Sequence, residues 1–243
     1  MIRCRTAALA VLAAIAFMML AGPTASAGGA QLDLVDLSTR TSVSYQSLIP
    51  SVRFGSDNEH EARPGLSLMK LYLADYSLRR GNASDWDRTL AEQMIRFSDD
   101  RAADLIDAEY PGAIDAVSNE FGLDSTWSSG YWGTSVTSTA DVAKFLAAKL
   151  TSDAKSPILS WMSNAGKVAA DGTVQDWGTA NLPGVIGTKW GWTDGSEPGD
   201  EVASASFGPG FVIVSMTFGS AQDQNADLCG ALAGPQLVCS LLA

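Results

Sequence analysis

Ser67 and Lys70 stand three residues apart inside Leu66-Ser67-Leu68-Met69-Lys70-Leu71-Tyr72-Leu73-Ala74, a run that is apolar almost throughout. On a helix that spacing places them on one face, about one turn apart. A serine hydroxyl is a poor nucleophile until a base takes its proton, and a neutral lysine one turn away is such a base. Burial disfavours the charged ammonium, which is the direction a general base needs. Two further elements carry candidate groups: Ser98-Asp99-Asp100, with a hydroxyl and two carboxylates, and Lys189-Trp190-Gly191, with a second lysine. The same letters recur at Ser152-Asp153-Ala154-Lys155 and Ser56-Asp57-Asn58, but both are polar stretches with no apolar helix to position them. His60 is the single histidine, in the charged stretch Asp57-Asn58-Glu59-His60-Glu61. A Ser-His-Asp triad would rest on it alone, without a G-x-S-x-G elbow. One histidine without a cysteine cluster argues against zinc. The sequence calls for no metal and no cofactor.

The elements that must carry these residues read as α+β. Leu32, Leu34 and Leu37 alternate with polar neighbours, a polar turn follows at 38–40, and 41–45 continues, which predicts an opening hairpin. The run around Ser67 predicts a buried helix. Thr89-Leu90-Ala91-Glu92 has capping-box spacing and predicts a helix start, with Leu90, Met94 and Phe97 on one face and Ser98-Asp99-Asp100 late in that helix. A further helix opens near Ser138-Thr139. Beyond residue 165 the chain turns to glycine-punctuated strands at 184–192, 202–207 and 211–218, the last two flanking Gly208-Pro209-Gly210, and then a short helix. Strands, helices, strands and a helix in that order predict N-terminal strands joining a C-terminal antiparallel sheet, with a mostly helical lobe between.

The 243 residues carry 16 basic and 27 acidic side chains, a formal charge of −11, which argues against nucleic-acid binding through a basic face. Arg3 and Arg5, the apolar stretch 7–21 and Ala25-Ser26-Ala27 read as a secretory signal over 1–27. The apolar stretch is shorter than the ~20 residues a membrane span needs. Removing the signal leaves one domain over 28–243, with no later span and a charge of −13. Export favours a disulfide between Cys229 and Cys239. On one straight helix they would lie ~15 Å apart, beyond bridging reach, but Gly230, Gly234 and Pro235 favour a break there, so the bridge stays open.

The order Ser67-x-x-Lys70, Ser98-Asp99-Asp100, Lys189-Trp190-Gly191 resembles the penicillin-recognising serine hydrolases, the serine β-lactamases and low-molecular-mass penicillin-binding proteins. Their signatures are S-x-x-K, S-D-N and K-T-G. The resemblance extends over Met94-Ile95-x-x-Ser98-Asp99-x-x-Ala102-Ala103, the strand at Lys189, the turn after Phe207 and the last helix. It implies a two-lobed β-lactamase/transpeptidase-like fold with Ser67 in the cleft between a helical lobe and a five-stranded sheet. It also implies Ser67 as nucleophile, Lys70 as base, Ser98 as proton shuttle to the leaving group, and Lys189 as electrostatic support and carboxylate binder. The N–H groups of Ser67 and Trp192 would form the oxyanion hole. The implied partner is a small-molecule or peptidoglycan-like substrate.

This chain departs from the pattern at four points. Asp100 stands in place of Asn. Trp190 replaces the hydroxyl residue that helps hold a substrate carboxylate, and its indole is expected to line the cleft. Only thirty residues separate Ser67 from Ser98. The segment 127–137, in the place of the class A omega loop, contains no Glu. Glu120, the nearest acid upstream, is expected to face solvent from a helix ending at Gly122. The acids Asp194, Glu197, Asp200 and Glu201 crowd the segment after the third motif. Two readings follow: a serine acyltransferase working through Ser67, and a catalytically degenerate envelope binding protein that keeps the cleft.

Overall fold

The computed structural model describes residues 37–49, 51–193 and 200–232. The signal segment, Gln31 to Asp36, Asp194, Glu197 and Cys239 lie outside the described residues. Five strands form one antiparallel sheet: β1 (Thr41–Leu48), β2 (Ser51–Gly55), β5 (Gly187–Trp192), β6 (Glu201–Gly208) and β7 (Phe211–Phe218), in the order β2-β1-β7-β6-β5. A two-residue ladder joins β3 (Arg63–Pro64) to β4 (Val136–Thr137). Between β3 and β5 run α1 (Met69–Arg79), α2 (Asp85–Arg96), α3 (Asp100–Glu109), α4 (Ala113–Phe121), α5 (Thr139–Ser152) and α6 (Pro157–Ser163), and α7 (Ala221–Leu232) follows the sheet.

The apolar character of β7 is explained by its central place, since both of its edges are paired and both faces covered. Val212, Val214 and Met216 face the helical lobe and join one large core with Leu71, Leu73, Met94 and Phe145. Ile213, from the opposite face, packs with Val43 and Leu228 of α7. That alternation is the two-residue period of a strand. In the helical lobe α1 is enclosed, with Leu71, Tyr72 and Leu73 wholly buried. Its one buried acid, Asp75, accepts from Lys149 Nζ at 2.7 Å and also binds Arg79, so neither buried charge is left unpaired. Among the described residues no helix is long and apolar enough to cross a membrane.

The sheet, its strand directions and the helical lobe agree with the α+β expectation, while several element boundaries differ. The opening hairpin pairs β1 with β2, Tyr45 facing Phe54, where the sequence pattern had suggested a partner before residue 38. The aromatic stack of Tyr45 on Phe54, centroids 4.6 Å apart, favours this pairing. The helix before Ser98 opens five residues early: Ser84 is its cap, Ser84 Oγ accepting from Asp87 N and Asp87 accepting from Ser84 N. Thr89 lies inside the helix, its hydroxyl donating back to the Asp85 carbonyl. The third strand begins at Gly187, three residues later than 184.

Candidate active site

Ser67 lies in a single 3₁₀ turn, Leu66–Leu68, that runs directly into α1. Leu66 holds a positive φ of 50°, an uncommon conformation for a residue with a side chain and one that concentrates at functional sites. The turn packs against β5, the edge strand of the sheet. A Cβ placed on Gly191 would lie 2.9 Å from both Ser67 N and Leu66 Cβ, so only glycine permits this approach. The strand end carrying Trp192 is thereby brought beside the Ser67 backbone.

Lys70 follows one turn later and is fully buried. Its Nζ donates to Ser67 Oγ at 2.8 Å, to the Ser98 carbonyl at 2.7 Å, and to the Asp100 carboxylate. It also lies 4.5 Å from the ring centre of Trp132. Burial pushes the Lys70 ammonium below the ordinary lysine range, against the pull of Asp100, Asp99 and Asp104 in the other direction. Ser98 is also held at positive φ, 55°, in the bend between α2 and α3. That bend, and not the body of the preceding helix, is where Ser98-Asp99-Asp100 sits: Asp99 caps α3 by accepting from Ala102 N at 3.0 Å, which frees Asp100 to turn back on Lys70. The positive φ lets Ser98 present its carbonyl to Lys70 and its hydroxyl to Lys189 together. Lys189 Nζ donates to Ser98 Oγ at 2.7 Å and to the Trp190 carbonyl at 2.8 Å. Complete burial, reinforced by repulsion from Lys70, holds the Lys189 ammonium well below its usual range.

The structure therefore brings Ser67, Lys70, Ser98, Lys189, Asp100 and Gly191 together, with Trp192 at their edge. A cavity of about 240 Å³ opens beside them, bounded by Ser67, Ser98 and Asp100 on one side and by Ala170, Asp171 and Trp192 on the other. Trp190 is not among its walls. Strand alternation sends Lys189 and Trp190 to opposite faces, and the indole is buried with Trp177 and Val202, its Nε1 donating to the Trp177 carbonyl at 3.0 Å. The bulky residue at the third motif is packing, and it is Trp192 that reaches the cleft. A second cavity of equal volume is lined by Arg79, Arg88, Asp153, Lys155 and Ser156 and includes none of the residues gathered around Ser67.

Two participants were missed from the sequence. Trp132, in the segment without a glutamate, is the side chain that this segment lays on Lys70; it is fixed by Nε1 on Asp104 (2.8 Å) and by its backbone N–H on Asp107 (3.0 Å). A tryptophan amid Ser, Gly and Thr at 127–137 was the available signal. Asp171 gave none, since Ala170-Asp171-Gly172 reads as an ordinary turn. Other expectations resolve simply. Glu120 is spent on ion pairs with Arg79 and Arg80. His60 is exposed beside Glu59. Ser56 and Asn58 pin the loop after β2 to β1 through Val43 N, Thr39 O and Thr41 O. Lys155 lies outside any helix. Cys229 is disulfide-bonded. Among the described residues no group of His, Cys, Asp and Glu is placed to hold a metal.

No protein-family model matches the chain, and no curated protein does. Solved structures do match. The chain is 20% identical to penicillin-binding protein D2 from Listeria monocytogenes in a cefotaxime-bound form, with a TM-score of 0.56 over 79% of this chain and 94% of that one. A β-lactamase from Xanthomonas campestris pv. campestris is 17% identical, with a TM-score of 0.60 over 79% and 89%. An ancestral class A β-lactamase is 18% identical, with a TM-score of 0.57 over 83% and 91%. The chain has the fold of the serine β-lactamases and penicillin-binding proteins.

Proposed function

We propose that this chain is an exported, envelope-associated serine hydrolase or acyltransferase of the penicillin-binding type, cleaving cell-wall-like peptide, amide or ester bonds through an acyl-enzyme at Ser67. The observation that carries this reading is the 2.8 Å contact between Ser67 Oγ and the buried Nζ of Lys70. Neutral Lys70 takes the hydroxyl proton as Oγ attacks the carbonyl carbon. The oxyanion forms beside the N–H groups of Ser67 and Trp192, where each positioned donor contributes ~10²–10³ in rate. Ser98, in contact with Lys189, gives its hydroxyl proton to the leaving group as the scissile bond breaks, and the proton that Lys70 took from Ser67 replaces it. Water or an amine then attacks the ester, the again neutral Lys70 takes the attacking group's proton, and that proton goes to Ser67 Oγ as the ester bond breaks.

A second reading is favoured by Asp100. Its carboxylate on Lys70 stabilises the ammonium, the form that is no base, which suits a non-catalytic relative that keeps the cleft. One experiment separates the two. The protein from residue 28 onward is incubated with a fluorescent penicillin and, in parallel, a chromogenic cephalosporin. Covalent labelling that vanishes in Ser67→Ala, with little steady cephalosporin hydrolysis, supports the acyltransferase. Absence of labelling across pH 6 to 10 supports the binding protein. Rapid Ser67-dependent hydrolysis would point instead to a working β-lactamase.

A further inference from the structure

We propose that the cleft takes a ligand carrying a cationic amine beside the carbonyl presented to Ser67, with Asp171 and Trp192 as the residues that select it. The inference rests on the acyltransferase reading for the word substrate, but its physical basis is the cavity itself.

The ionised groups at the cavity are three carboxylates, Asp99, Asp100 and Asp171, against one guanidinium, Arg101. Asp99 is turned to the first turn of α3 and Asp100 to Lys70. Asp171, like Asp99, is held by neutral donors, and it shares the cavity wall with the indole of Trp192. One of its carboxylate oxygens accepts from Thr173 N at 2.9 Å and the other from Trp192 Nε1 at 3.0 Å. A carboxylate oxygen has two acceptor directions, so both oxygens keep one for a ligand. Burial works against ionisation of this carboxyl, but the bonds from Thr173 and Trp192 outweigh it and hold it below the usual carboxylate range.

The bond to Asp171 also fixes the indole. Trp192 and Trp177 form a T-shaped pair, centroids 5.6 Å apart, so the Trp192 ring is held by this contact and by Asp171 while it lines the cavity. An aromatic face next to a fixed carboxylate is the pair of features that attracts an ammonium, by ring quadrupole and by charge. Ser67 and Ser98 border the same space; each hydroxyl accepts from a lysine and has its own O–H to offer a carbonyl.

The groups that would hold a carboxylate are committed elsewhere. Lys70 and Lys189 are wholly buried, and both donate to protein acceptors. The residue after Lys189, where a hydroxyl would offer a hydrogen bond, is a tryptophan facing away from the cavity. A ligand carboxylate would meet Asp171 and Asp100, with Arg101 as the one basic side chain among the described residues that line the cavity.

The test uses binding without chemistry, in Ser67→Ala protein from residue 28 onward. Benzyltrimethylammonium and phenylacetate are titrated separately, following the ligand's own signals by NMR so that every variant is read in the same way. The expected result is binding of the ammonium at least about tenfold tighter than phenylacetate, weakened by salt. Asp171→Asn should reduce the ammonium affinity about tenfold. Trp192→Phe, which keeps a ring and loses the bond to Asp171, should give a smaller loss. Equal or tighter binding of phenylacetate, an ammonium affinity unaltered by Asp171→Asn, or no binding of either compound at millimolar concentration would overturn the proposal. Because no acyl transfer is involved, a cation preference without penicillin labelling of Ser67 would sink the acyltransferase reading alone. Labelling with an anion preference would sink this inference alone.

Discussion

Under the proposed acyltransferase reading, replacing Asp100 with Asn should speed acylation of Ser67 by freeing Lys70 to act as the base. Lys70 reacts as a base only when neutral. Its burial favours that form, and the carboxylate of Asp100 opposes it. Two opposite charges ~4 Å apart attract by ~4 kcal/mol at an effective dielectric of 20 and by ~1 kcal/mol in water. Lys70 is fully buried while the Asp100 side chain is 71% exposed, so the pair falls between these limits. At about 1.4 kcal/mol per pH unit, loss of the carboxylate moves the lysine titration down by ~1–3 pH units. Below that titration, the acylation rate scales with the neutral fraction, so Asp100→Asn should acylate at least about tenfold faster near pH 6. The assay is the second-order rate of fluorescent-penicillin labelling from pH 5 to 10, for both proteins. The acidic limb of the profile must shift to lower pH by at least about one unit. Asn also supplies an amide donor, which would raise the rate at every pH alike. A faster variant whose acidic limb stays in place would therefore refute the electrostatic argument, and so would a slower one.

Gly191→Ala sets a methyl group 2.9 Å from Ser67 N, so labelling should fall by at least about tenfold while urea unfolding of the variant stays cooperative; an unchanged labelling rate would mean that the turn at Ser67 yields freely. Trp132→Ala opens space beside Lys70 for water, and the acyl-enzyme half-life, followed by loss of fluorescent label, should shorten by at least about tenfold, while Trp132→Phe, which keeps a ring there, should preserve the lifetime. The Ala variant should also lose ~3–5 kcal/mol of stability, as buried aromatics do. Lys189 binds its proton less readily folded than unfolded, so between its depressed folded value and about 10.5 the unfolded chain holds more protons and stability rises with pH. Lys189→Met should accordingly be more stable than the parent near pH 7, and urea midpoints taken from pH 7 to pH 10 should show that advantage shrinking as pH rises.

Legibility in the sequence followed the range over which each feature is determined. Strand β7 was readable residue for residue, because a central strand covered on both faces is apolar along most of its length, here all but Ser215 and Thr217, and glycines bound it on either side. Ser67 and Lys70 were readable because helix geometry converts a spacing of three into a contact. The start of α2 was misplaced because two capping-box patterns, Ser84-x-x-Asp87 and Thr89-x-x-Glu92, lie five residues apart and both are locally sound. What selects Ser84 is the turn before it, with Ala83 at positive φ and its amide bonded to the Ser77 carbonyl, and that bond depends on α1. Asp171 shares the cavity with Ser67 and Ser98, 104 and 73 residues earlier in the chain, and Trp132 meets Lys70, 62 residues earlier, and no local pattern encodes such meetings. Trp190 was misassigned because strand alternation gave the right parity with Lys189 but left open which face the cleft occupies.

The core and the cleft of this protein tolerate change to different degrees, and that difference explains how a familiar fold comes to hold an altered site. Most of the core positions need only an apolar side chain of suitable volume, so the sheet and the helical lobe survive wide divergence. The cleft depends on single atoms. A carboxylate differs little in volume from an amide, yet at Asp100 it puts a negative charge on the lysine that touches Ser67 Oγ. The cost to the fold is small because Asp100 is exposed and its partner already sits in a polar pocket. The cost to the chemistry is a shift in the protonation of the base. Asp171 acts in the same direction at the other wall of the cavity. Both carboxylates disfavour an anionic ligand and both favour a cation. An ammonium entering between them would weaken the hold of Asp100 on Lys70 by competing for its charge. In this cleft, then, the ligand that binds best would also be the one that frees the base.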